Sequence, residues 1–151
     1  MTTASQLLVE EEREILAKNA LLLGWTFIVI DPENFVIGMT AKDGSFFFLW
    51  CNCDNYGAIP PAWHWYNPET KLCDQVQDTP LGGGFLHDHG VVCAPWNRLG
   101  YSKVDARGPH SDWELANWRS NQHTGACQTL SAMALRIFCE LNANTFKGRK
   151  G

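Results

Sequence analysis

The residues best suited to chemistry lie in one short stretch, Phe85-Leu-His-Asp-His-Gly-Val-Val-Cys93. Two imidazoles, His87 and His89, stand just ahead of a thiol. A cysteine thiolate is a strong nucleophile, and its thioester stays reactive toward amines, so the stretch suits acyl transfer. A free thiol titrates near about 8.5, which leaves only a few per cent as thiolate at neutral pH. A nearby imidazole raises that fraction, and a spacing of two puts His87 and His89 on one side of any extended segment. One histidine is expected to order the loop while the other moves a proton or holds an oxyanion. Asn97, just past the cysteine, offers a side-chain amide for the same task. The bland reading runs the other way: a cysteine between valines and a proline is ordinarily a small core residue, and Asn97 ordinarily a turn residue. The adjacent His-x-His and Gly90 favour function for Cys93. His64 and His110 read as surface or loop histidines, and Trp63, Trp65, Trp113 and Trp118 as packing residues.

A second chemistry is open to the same region. Cys51, Cys53, Cys73, His87, His89 and Cys93 together supply more than the four ligands of a tetrahedral zinc. Zinc knuckles space their cysteines by two to four residues, whereas Cys51-x-Cys53 in a strand points both sulfurs to one face without a knuckle turn. The deaminase signature of His-x-Glu with Pro-Cys-x-x-Cys is absent. No cofactor is therefore expected, with a zinc-binding Cys/His domain kept as the alternative.

These residues need a frame. Ser5 to Leu23 reads as an amphipathic helix with Leu8, Ile15, Leu16, Leu22 and Leu23 near one face, ended by Gly24. Trp25–Asp31, Phe35–Ala41 and Ser45–Cys53 are rich in β-branched and aromatic residues. Turn signals at Asp31-Pro-Glu-Asn34 and Lys42-Asp-Gly44 separate them, so they predict an antiparallel meander. Asn55 to Gly84, with Pro60-Pro61, Pro68, Pro80 and Gly82-Gly-Gly84, reads as a largely irregular, functional loop. Gln128 to Phe146 reads as a second amphipathic helix with Leu130, Met133, Ala134, Ile137, Phe138 and Leu141 on one face. Helices at each end of a three- to four-stranded antiparallel sheet make the fold class α+β.

The order of elements resembles the ubiquitin-conjugating enzymes. That family has a first helix, an antiparallel meander, a Tyr-Pro-x-x-Pro-Pro type segment, a His-Pro-Asn motif, the catalytic cysteine, a tryptophan and a long helix. Here Tyr56-Gly-Ala-Ile-Pro-Pro61 is similar to the proline segment, Gly90-Val-Val-Cys93 to the approach to the nucleophile, and Trp113 or Trp118 to the tryptophan. The resemblance covers Ser5 to Phe146 by order more than by identity. It implies that Cys93 accepts the C-terminus of a ubiquitin-like protein from an activating enzyme and passes it to an amine of a target. It also implies that Tyr56, Pro60, Pro61 and Trp96 form the substrate loop. His87-Asp-His89 replaces His-Pro-Asn, the first helix is acidic, and one long helix closes the chain. In these respects the sequence looks like the divergent bacterial relatives found beside ubiquitin-like proteins, activating enzymes and deconjugating peptidases. A non-catalytic binding module of the same fold is the remaining class.

Composition bounds the rest. At 151 residues, with 45% hydrophobic and 19% charged, the chain is expected to form one domain over 1–151, with flexible tails at 1–4 and 147–151. A net charge of -4 argues against nucleic acid as a partner. No apolar run approaches a membrane span, and the start lacks a signal peptide's basic and apolar segments. A cytoplasmic protein with six reduced cysteines is the expectation.

Overall fold

The computed structural model describes residues 2–121 and 127–150, and its frame is two helices on an antiparallel sheet. Helix α1 spans Ala4–Leu23. Thr3 caps it, accepting from the Gln6 backbone N–H while the Gln6 side chain returns to the Thr3 backbone, and Gly24 at φ 73° closes it. Its buried stripe is Val9, Glu12, Leu16 and Ala20. The expected face is thus rotated, and Ile15, Leu22 and Leu23 are exposed. The cause is Glu12, whose charge disguises an inward position. Its buried carboxylate accepts from the Tyr56 hydroxyl at 2.7 Å and from the Leu130 backbone N–H at 2.8 Å.

Strands β1 (Thr26–Asp31), β2 (Asn34–Thr40), β3 (Phe46–Asn52) and β4 (Ala62–Tyr66) pair antiparallel in sequence order. The two tight turns are built by aspartates. Asp31 accepts from the Glu33 N–H at 2.8 Å, and Asp43 from the Ser45 N–H at 2.9 Å. Registers run from Thr26↔Gly38, Asn34↔Asn52 and Phe48↔Tyr66. Strand β4 lies inside the segment expected to be irregular. Two prolines precede it, but both stand outside the ladder, and Ala62-Trp-His-Trp-Tyr66 pairs fully with β3.

Helix α2 spans Leu130–Leu141, shorter than the expected Gln128 to Phe146. Thr129 caps its start. It stops where the Asn142 side-chain amide bonds to the Thr40 and Phe138 carbonyls, which turns the chain. Leu130, Met133, Ala134, Ile137 and Leu141 are buried as expected, and Phe138 packs edge-on to Trp25 at 5.3 Å.

The expected tails are also revised. Residue 3 caps α1, and Phe146–Arg149 forms strand β6, antiparallel to β5 (Pro80–Gly82). Arg149 anchors it by donating to the Gln77 and Phe46 carbonyls and lying over the Phe47 ring. Met1 and Gly151 lie outside the described residues. One apolar cluster joins α1, the sheet, α2 and Trp63, Trp65, Trp96 and Trp118. Among the described residues no helix is long and apolar enough to cross a membrane.

Candidate active site

The segment from β5 to Cys93 folds back on itself. The Cys93 N–H donates to the Phe85 carbonyl at 2.8 Å, Leu86 bridges Val92, and the His87 N–H reaches the Val91 carbonyl at 3.2 Å. Gly90, at φ 77°, allows the reversal, its N–H donating to the His87 carbonyl. Behind the turn, Asn97 is fully buried. Its Oδ1 accepts from the Trp63 N–H at 2.9 Å, and its Nδ2 donates to the Val92 carbonyl at 2.9 Å. The expected oxyanion amide is therefore a tie between β4 and the cysteine segment, and its place in the interior explains why. The Tyr101 hydroxyl adds a second tie, donating to the Pro95 carbonyl at 2.7 Å.

Cys93 stands half-buried on a cleft of about 450 Å³ lined by Gly84, Phe85, Pro95, His110, Asp112, Trp113 and Arg136. Burial pushes its thiol above the ordinary range. The nitrogen that reaches it belongs to neither expected histidine: His110 Nε2 lies 3.2 Å from Cys93 Sγ. The His110 ring stacks on the Trp113 indole, centroids 3.7 Å apart and 7° from parallel. Its backbone is held on both sides, N–H to the Gly100 carbonyl and carbonyl from the Ser102 N–H. Asp112 Oδ1 lies 3.9 Å from His110 Nδ1, too far for a hydrogen bond. Thiol, base, orienting stack and carboxylate thus share one cleft.

His87 and His89 do lie together, ring centroids 4.6 Å apart, on the same side of the turn. Burial lowers His87 below the ordinary histidine range. His89 Nδ1 faces the Arg107 carbonyl at 3.2 Å, joining this turn to the loop that carries His110. Arg107 is in turn paired with Asp105 and Asp74, and Asp74 with His64 at 2.7 Å.

The expected substrate loop is interior scaffold. Tyr56 is buried with its hydroxyl on Glu12, and Pro60 and Pro61 are buried. Arg98 Nε donates to the Pro60 carbonyl, and its guanidinium pairs with Asp54 at 2.7 Å. Trp96 packs between Trp63 and Phe85 rather than facing the cleft. The reason is the same for all four: large apolar surface beside a sheet is worth more inside than in water. Cys51 and Cys53 are a core pair with sulfurs 3.6 Å apart. Cys73 sits beside β4, its thiol pushed by burial up to about 11. Among the described residues the group that brings three metal-type donors together is His87, Asp88 and His89, without a cysteine.

Sequence reasoning passed over His110. Its separation from Cys93 has no periodicity to read, and only the neighbouring Asp112 and Trp113 could have marked it as more than a loop residue. No protein-family model, curated protein or solved structure matches the chain.

Proposed function

We propose that this chain is an acyl-carrying transferase of the ubiquitin-conjugating type. Cys93 accepts the C-terminal carboxyl of a ubiquitin-like protein from its activating enzyme and passes it to an amine of a protein target. The observation that carries the reading is the Cys93 thiol 3.2 Å from His110 Nε2 in an open cleft. The order of helix, four-stranded antiparallel sheet, cysteine segment and closing helix supports it.

In the first step Cys93 Sγ attacks the activated carbonyl carbon, giving its proton to His110 Nε2. The S–C bond forms, the bond to the leaving group breaks, and the proton passes to that group. In the second step an amine nitrogen attacks the thioester. The N–C bond forms, the S–C bond breaks, and the amine proton passes through His110 to the departing sulfur. Stacking on Trp113 holds the His110 ring in place through both proton transfers.

The test is incubation with a ubiquitin-like protein, its activating enzyme, ATP and magnesium, read on non-reducing gels. A shifted band that reducing agent removes is expected, absent in Cys93→Ala. His110→Ala should slow its formation by about 10²-fold, the usual range for a lost general base. His87→Ala and His89→Ala should retain most of the rate. A band that persists in Cys93→Ala, or no band with wild-type protein, would sink the reading. A band that decays to free acid equally fast with and without added lysine would make the protein a hydrolase instead.

A further inference from the structure

The geometry points to a second site, separate from the thiol: a divalent transition-metal site formed by His87, Asp88 and His89, with nitrogen and oxygen donors and open positions toward solvent. The donor atoms of the three residues lie within 4.8 Å of one another. His87 Nδ1 is 3.0 Å from Asp88 Oδ1, and His89 Nε2 is 3.8 Å from the same oxygen. Around a tetrahedral zinc with ligands at about 2.0–2.1 Å, neighbouring donors lie roughly 3.3–3.4 Å apart, between those two values.

The hydrogen bonds of the turn fix which nitrogens are bare. His89 Nδ1 faces the Arg107 carbonyl, an acceptor only, so the ring proton sits on Nδ1 and the lone pair is on Nε2, toward Asp88. A backbone carbonyl holding the far ring nitrogen is the partner that metal-ligating histidines commonly have. His87 Nδ1 accepts the His89 backbone N–H at 3.1 Å, so this nitrogen carries no proton either, and a metal would take the place of that amide contact. Two lone-pair groups, His87 Nδ1 and the Asp88 carboxylate, then face each other at 3.0 Å. Moving a proton onto Nδ1 would satisfy Asp88 but turn two N–H groups toward each other. A cation among the three donors relieves the mismatch, at the cost of one amide contact.

The backbone is held for the task. Gly90 reverses the chain, the turn closes between His87 and Val91, and Lys150 of the C-terminal segment donates to the Asp88 carbonyl. Imidazole donors select zinc, nickel or copper over magnesium and calcium, which prefer oxygen.

The experiment is titration of the full chain with zinc chloride, then cobalt substitution followed by absorption. One equivalent is expected to bind wild type and the Cys93→Ser variant alike. H87Q/H89Q should lose it, and the milder Asp88→Asn should weaken binding about tenfold without touching the fold. The cobalt form should show weak visible bands and no intense near-ultraviolet thiolate absorption. Binding that survives H87Q/H89Q, that vanishes in Cys93→Ser, or that brings thiolate absorption would overturn the proposal. None of these readouts depends on thioester formation.

Discussion

Residues 26–66 and residues 74–121 both bury large aromatic side chains, yet different bonds hold them. In the first region, seven register pairs join β2 to β3 and five join β3 to β4, so backbone satisfies backbone. In the second, strand β5 is short, and the remainder is 3-10 turns and isolated bridges. Side chains there take over the ladder's work. Asn97 ties Trp63 to Val92, Arg98 holds the Pro60 carbonyl, Tyr101 the Pro95 carbonyl, and Asp74 the Trp65 N–H. A ladder is redundant, whereas a side-chain tie is not. The region that carries Cys93 and His110 should therefore be the more easily broken by single substitutions.

The largest expected effect is at Asn97. Asn97→Ala leaves the Trp63 N–H and the Val92 carbonyl without their partner in a fully buried place. At about 1–3 kcal/mol for each buried group left unsatisfied, the loss should approach roughly 3 kcal/mol in urea unfolding. A volume-conserving swap in the ladder, Met39→Leu, should cost under about 1.5 kcal/mol. Hydrogen exchange sharpens the contrast, with protection falling across 85–101 while β2 and β3 keep theirs. A uniform fall across both regions would mean one cooperative unit and would break the comparison.

Next is Gly108, where the loop carrying His110 passes against the Tyr101–Ser102 backbone. A Cβ there would lie 2.5 Å from the Tyr101 carbonyl carbon and 2.7 Å from the Ser102 nitrogen. Backbone cannot swing aside as a side chain can, so the loop must shift and carry His110 away from Cys93. Gly108→Ala is expected to slow thioester formation tenfold or more, while stability falls by only about 1 kcal/mol. A fall in stability with the rate intact would mean that the loop holds the fold rather than the base.

The same contrast explains what could be read from the sequence. The meander was legible because alternation, aromatic enrichment and Asp-containing turns are local signals, and α2 because its apolar face repeats at helical spacing. Glu12 hid the true face of α1, since a charged residue reads as outward until its partners Tyr56 and Leu130 are known. Cys93 stands out as a candidate from the His-x-His and glycine beside it. Its nearest histidine was not, because His110 reaches it through a tertiary contact across 17 residues. Tyr56, Pro60, Pro61 and Trp96 read as a substrate loop by order alone, and only packing shows that they are scaffold. Strand β6 was lost in a basic run that resembles a solvated tail.

The smallest expected effect tests the thiol itself. Alkylation by iodoacetamide needs the thiolate, and burial pushes the Cys93 thiol above the ordinary range. At neutral pH the rate should therefore be below that of a free cysteine. It should rise about tenfold per pH unit and level off with a midpoint above that of a free cysteine. Cys139 is exposed and would mask this, so the measurement belongs in a Cys139→Ser background. His110→Gln removes the proton acceptor 3.2 Å away but leaves the cleft walls in place. It should lower the rate at pH 7 a few-fold and leave the alkaline plateau unchanged. Cys51, on β3 and fully buried, should stay unmodified wherever the fold persists. A Cys93 midpoint below that of a free thiol would mean that a thiolate–imidazolium pair already stands in the cleft. His110 would then hold the proton before substrate arrives, and burial would be the weaker of the two influences on this sulfur.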